Sequence, residues 1–228
     1  MNYEQFPKSK TLRQGTVLAS IVHAVMAPRY FELFHEYSWD GTNHGVQNSM
    51  GGYGTIAFLG SLKGDLVAVF FDAHSSRNPF PLNVHYEVGP FFTNMPPHLF
   101  SLAYEQALQY RLEEYNGKIQ PVITSAFWCV EERLAAAEPW SEVFENGAHL
   151  LEDYFMPAES ALAEYREGYE MTKDEFKLSQ SLFARKIANP SKIITITPSE
   201  KAILLEQAEP GGIENSRIAF KPMGIFLP

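Results

Sequence analysis

Cysteine is nearly missing from this chain: Cys129 stands alone among 228 residues. A single thiol excludes any intramolecular disulfide and fits a reducing compartment. Long apolar runs are missing too. No stretch reaches the roughly 18 apolar residues of a membrane-spanning helix, so no membrane association is expected. The start, MNYEQFPKSKTLRQG, has no apolar segment behind a basic one, so no secretory signal is read there. A cytoplasmic protein is the expectation. Clustered positive charge is also lacking. Lys and Arg total 18 against 27 Asp and Glu, for a net charge of −9. A binder of phosphate backbones needs grouped Lys and Arg, so nucleic acid is not expected as a partner. The chain has no internal repeat, no low-complexity tract, no G-x-G-x-x-G, no Walker A loop and no H-E-x-x-H. No cofactor is named by any motif.

Apolar residues are plentiful, at 45%, and aromatics reach 14%, with 17 Phe and 11 Tyr. Such a chain can bury a sizeable core. Residues 16–26 carry a helical stripe of Val17, Leu18, Ile21, Val22, Val25 and Met26. Tyr30, Phe31, Phe34 and Tyr37 continue that spacing beyond Pro28. Gly54–Gly60 and Leu66–Asp72 read as a hairpin with a short glycine-containing connector at 61–65. VAVFF is apolar on both faces, as in a central strand. Residues 84–92 suggest a third strand. Residues 97–116 carry a helical stripe that ends at Gly117. Residues 121–128 start like a buried strand, and 131–137 read as helix. Pro139 opens a helix expected to reach Tyr154.

Thr172-Lys-Asp-Glu175 and Thr197-Pro-Ser-Glu200 are capping boxes, each opening a helix. KIITIT at 192–197 and SRIAFK at 216–221 read as strands. Strands gathered early and helices gathered late predict an α+β fold with a small mixed or antiparallel sheet. The helix-rich portion runs over about 97–210, and no linker divides the 228 residues, so one domain is expected.

Candidate chemistry concentrates in residues 39–79. Glycines 41, 45, 51, 52 and 54 interleave there with Asp40, Asn43, His44, Gln47 and Asn48, predicting a polar loop over 40–54. Glycine lets a backbone approach a ligand closely, and loops on a rigid scaffold often carry sites. Asp40, Asn43, His44, Tyr53, Asp72 and His74 are the candidate ligand-binding residues. Asp72, His74 and Arg77 are the catalytic candidates, because an Asp at i and a His at i+2 share a strand face and can orient an imidazole. His44, Asp72 and His74 together offer nitrogen and oxygen donors for a metal. The competing reading makes Asp72 a turn cap and His74 a solvated side chain. His35-Glu36 and His85-Tyr86-Glu87 are weaker ligand groupings. Cys129, flanked by Phe127, Trp128 and Val130, reads as a buried structural residue.

Two functions follow as expectations. The first is a non-enzymatic binder of a small ligand or protein partner through the 40–54 loop and the adjacent hairpin. The alternative is a metal-dependent or hydrolase-like enzyme centred on Asp72, His74 and His44. A subunit active only on assembly is a third reading.

Overall fold

In the computed structural model, residues 5–30, 36–60, 64–82 and 84–228 are described. The fold is α+β, as the segregation of strands and helices predicts. In chain order it comprises α1 (Ser9–Met26), β1 (Tyr37–Trp39), β2 (Asn43–Gln47), β3 (Gly52–Phe58), β4 (Leu66–Asp72) and α2 (Pro79–Leu82). There follow α3 (Phe100–Glu105), β5 (Leu112–Tyr115), β6 (Lys118–Pro121), β7 (Ser125–Val130), β8 (Arg133–Ala135) and α4 (Trp140–Glu145). The chain closes with α5 (Ala158–Gly168), α6 (Lys173–Ala188), β9 (Ile194–Thr195), α7 (Pro198–Glu206), α8 (Gly212–Phe220) and β10 (Ile225–Phe226). These elements gather into two units. One comprises Met1–Lys10 and Thr42–Glu152, the other Thr11–Gly41 and Asp153–Pro228. No helix among the described residues is long and apolar enough to cross a membrane.

The first unit is built on antiparallel neighbours in the order β2–β3–β4–β7–β8. The hairpin expected over 54–72 is β3–β4. Leu66 to Phe70 are buried without interruption, which places β4 centrally. Ala57, Val67, Val69, Ala126 and Trp128 share one face and pack with Phe92, Met95, Leu99, Leu102 and Leu108. Ile56, Ala68, Phe70 and Phe127 lie on the other face by alternation, and the Phe70 and Phe127 rings stack at 5.7 Å.

Several local expectations differ from what is found. The 40–54 loop is mostly strand: β2 and β3 pair from Asn43 opposite Ala57 to Gln47 opposite Tyr53, leaving a tight turn at 48–51. Asn48 makes that turn by accepting the main-chain N–H groups of Met50 and Gly52. The stripe over 97–116 forms α helix only at Phe100–Glu105, continues as a 3₁₀ turn at Ala107–Arg111, and becomes β5. Gly117 is no helix cap. Asn116 and Gly117 both have positive φ and turn β5 into β6.

Residues 131–137 are a hairpin rather than a helix. Glu131 and Glu132 take φ of 48° and 64°, and Asp65 Oδ1 accepts the Glu131 N–H at 3.2 Å. The helix expected from Pro139 to Tyr154 breaks at Asn146-Gly147. Ser216 to Phe220 of SRIAFK lie in α8, which Lys221 caps, and β9 pairs in parallel with β10 instead. The stripe at Tyr30, Phe31, Phe34 and Tyr37 falls largely outside the described residues, as do connector residues 61–63 and His35.

No strand forms over 84–92. Tyr86 anchors the segment instead. Its hydroxyl donates to the Ile123 carbonyl at 2.9 Å and accepts the Ile123 N–H at 2.7 Å. Together these take up both main-chain groups of one residue, as a neighbouring strand would.

In the second unit, Gly15 of α1 lies directly against Tyr154, where a Cβ would fall 2.3 Å from the Tyr154 carbonyl oxygen. Gly212, at the start of α8, abuts Pro28 in the same way, and Ser216 donates to the Ala24 carbonyl at 2.5 Å. Both capping boxes are present, Thr172 with Glu175 and Thr197 with Glu200. Arg29 gathers loose ends: it donates to Gln207 and to the carbonyls of Tyr169 and Glu170, and pairs with Glu175 at 3.6 Å.

Gly54 stands opposite Phe70, and a Cβ there would lie 2.7 Å from the ring atoms Cδ1 and Cε1. Gly147, at φ of +141°, approaches the Phe70 Cβ itself, at 2.6 Å. Gly54→Ala is therefore expected to cost about 1–3 kcal/mol. Most of that loss should vanish in a Phe70→Val background, which lacks ring atoms. The Gly147→Ala loss should persist there, because Val retains the Cβ. Urea unfolding of the double-mutant cycles checks both statements.

Burial pushes the Tyr86 hydroxyl up to about 12. Below the ordinary tyrosine value of about 10 it is protonated in both states, and its contribution is complete. As pH rises from there, the unfolded chain loses the proton first. Stability should fall over that interval, and Tyr86→Phe should flatten part of the slope measured by urea titration.

Candidate functional site

The end of β4 forms a polar corner. Asp72 is buried, and its Oδ1 accepts the His74 N–H at 2.8 Å, closing an Asx turn. Its own N–H donates to Thr124 Oγ1 at 3.0 Å, and Thr124 in turn donates to the Asn146 carbonyl at 2.6 Å. Ser75 Oγ donates to Asn146 Oδ1 at 2.6 Å. Asp72 Oδ2 faces His149 Nε2 at 3.9 Å, a contact too long for a hydrogen bond. The His74 side chain is exposed. Arg77 points to Glu138 and Glu142, at 2.5 and 2.8 Å, and surface pairs of this kind hold a side chain in place while adding little stability.

His44 does not join this corner. It is fully buried on β2 opposite Ile56, which itself stands opposite Ala68. Asp72 lies four residues further along β4, about 13 Å by strand rise, and two strands across. Among the described residues, no three of His, Cys, Asp and Glu group as metal ligands. Asp40 is exposed. Tyr53 lies beneath Arg111, whose guanidinium carbon is 4.9 Å from the ring centre. His85 and Glu87 pair at 3.0 Å in solvent, and Cys129 is buried.

Asn43 leads to a different place. At the far end of the same sheet, Thr42, Asn43, Phe58, Leu59, Gly60, His98, Ser101, Leu102 and Gln106 enclose a cleft of about 270 Å³. Asn43, Phe58 and Leu102 are buried and form its base. The walls are Leu59–Gly60, following β3, and the exposed side chains of His98, Ser101 and Gln106. His98 Nε2 is 2.9 Å from Asp65 Oδ2, which orients the ring. Asn43 Nδ2 reaches Thr42 Oγ1, Gln106 Oε1 and Tyr110 OH at 3.2, 3.4 and 3.5 Å. All three exceed the usual N–H···O length of about 2.9–3.0 Å.

The chain matches no family model, no curated protein and no solved structure. Its function must be argued from this geometry.

The structure therefore separates the candidates drawn from residues 39–79. Asp72, His74 and Arg77 share one turn. Asn43 belongs to the cleft, Tyr53 to the Arg111 stack, and His44 to the buried face. Sequence reasoning missed His98, Ser101 and Gln106, which lie within what reads as a plain amphipathic helix. His149 is 77 residues from Asp72, and no local spacing connects them.

Asp72→Ala leaves the His74 N–H of the turn unmet and is expected to cost roughly 1–3 kcal/mol. Asp72→Asn keeps an acceptor and should retain most of that stability. His74→Ala should stay within about 0.5 kcal/mol of the parent. Urea denaturation of the three variants measures all of this.

Proposed function

We propose that this chain is a small-molecule binding protein whose ligand occupies the cleft above Asn43. The observation that carries this reading is the Asn43 amide. It is a buried amide at the base of a cleft, and its Nδ2 contacts to Thr42, Gln106 and Tyr110 are longer than usual, so it can turn toward a ligand acceptor at ordinary distance. Concave sites with an apolar base and a few convergent polar groups are where small ligands bind. Their usual volume is roughly 300–1,000 Å³, so a cleft of about 270 Å³ favours a compact ligand. The polar lining consists of amides and hydroxyls, with His98 beside Asp65. A neutral molecule bearing hydroxyl or amide groups on one edge and an apolar face toward Leu59 and Leu102 complements it.

This reading keeps the binding role expected of the 40–54 segment and its hairpin, and narrows it to the end of β2 and β3 that carries Asn43. The net charge of −9 supports a partner other than nucleic acid. The single buried Cys129 supports a cytoplasmic setting.

Ligand-observed NMR against a panel of neutral polyols, amides and nucleosides tests the proposal. At least one compound should bind saturably. Asn43→Leu should weaken that compound roughly tenfold, the equivalent of one well-made hydrogen bond. His74→Ala should leave it unchanged. Binding that survives both Asn43→Leu and Gln106→Leu would sink the cleft as the site.

A further inference from the structure

Arg111 carries its charge into a half-buried position, and no carboxylate touches it among the described residues. The side chain forms no ion pair and donates no hydrogen bond among the described residues, and its Nε is buried without an acceptor. Arg77 and Arg185, by contrast, each meet a carboxylate at 2.8 Å or less. Glu113 acts on the Arg111 charge from a distance without touching it, and burial pulls the guanidinium below its ordinary value. What holds the group is Tyr53, whose ring covers it at 4.9 Å.

Arg111 closes the 3₁₀ turn at Ala107–Arg111, and its carbonyl accepts the Val122 N–H at 2.9 Å, so the main chain is fixed. Tyr53 projects from β3 directly opposite Gln47 on β2. Directly opposed residues stand about 4.5–5.5 Å apart at Cβ. Gln47 therefore shares the sheet face of Tyr53 and brings an amide to the neighbourhood of the ring. A guanidinium with one face on an aromatic ring keeps its Nη edge open, and that edge matches the two oxygens of a carboxylate or phosphate. A half-buried cation left unpaired is costly, and an oxyanion at the Nη edge removes that cost.

We propose that Arg111, stacked on Tyr53 and flanked by Gln47, is an oxyanion-binding site that takes the carboxylate or phosphate group of a small molecule. It is separate from the cleft. Tyr53 stands four residues along β3 from Ala57, the partner of Asn43, a distance of about 13 Å. The two sites therefore pass or fail independently.

The test titrates inorganic phosphate and, separately, acetate into the full chain at constant ionic strength balanced with chloride. The Arg111 Nε–Hε resonance is followed by NMR, and the unfolding midpoint is read in parallel. A saturable shift of that resonance with either anion, and none with chloride, is the expected result. A response to phosphate alone assigns a phosphate ligand, and a response to acetate alone assigns a carboxylate. At tenfold excess over Kd the midpoint should rise by about 3–6 °C. Arg111→Lys keeps the charge but loses the planar edge, and should weaken binding roughly tenfold. Arg111→Gln should unfold no earlier than the parent in anion-free buffer, because it removes an unpaired charge. The proposal is overturned by an unresponsive Arg111 resonance, by full affinity in Arg111→Lys, or by an Arg111→Gln protein that unfolds far earlier without anion. That last result would make the cation a structural group.

Discussion

The register of β3 against β4 is the constraint on which the first unit depends, and Phe70 sets it. Its ring fills the space left by the missing side chain of Gly54, while its Cβ rests against Gly147. A slip of one residue would place Tyr53 or Thr55 under that ring and turn every buried residue of β3 outward. The pairing that follows places Gly52 against Asp72 at one end and Phe58 against Leu66 at the other. The polar corner and the cleft are thus two ends of one ladder. The glycines that suggest a flexible binding loop serve here as room for an aromatic ring.

The polar groups in the two units differ in how completely they are met. Arg29 donates through its Nη groups to the carbonyls of Tyr169 and Glu170, although its Nε meets no acceptor, and Asp72 and Thr124 stand in a chain of well-made bonds. These groups stiffen what they touch. The Arg111 guanidinium rests instead on a ring face. Buried polar groups are satisfied as a rule, so the exceptions are where an outside group gains most by binding.

Much of the architecture is legible in the residues. The two-sided apolar run at 66–71 marks β4, the stripe in 16–26 marks α1, and both T-x-x-E boxes open the helices they predict, because each signal acts over a few neighbours. The failures have physical reasons as well. Asn43, His44, Gly45 and Gln47 have no strand propensity, and β2 exists through its pairing with β3. The α3 stripe is real but short, since Asn116-Gly117 supplies a hairpin signal that overrides it. Glu131 and Glu132 adopt positive φ, which glutamate disfavours, so nothing in their identity announces a turn. The site candidates show the same division. Asp72 and its turn can be read locally, as can the position of Asn43 beside polar neighbours. The cleft needs His98 and Gln106, more than fifty residues away along the chain, and no spacing rule reaches so far.

The second unit is assembled from two separated pieces, Thr11–Gly41 and Asp153–Pro228. Its first helix is synthesised before Tyr154 and Ser216, which it packs against, exist. All of Thr42–Glu152 must emerge in between, so closing this unit means bringing together segments across a long intervening loop. The second unit cannot close until its C-terminal piece has been made, whereas the first is complete at Glu152. Until Asp153 and the residues after it are made, the apolar stripe of α1 has to be shielded by something else, and the time needed to translate the first unit sets the minimum length of that exposure.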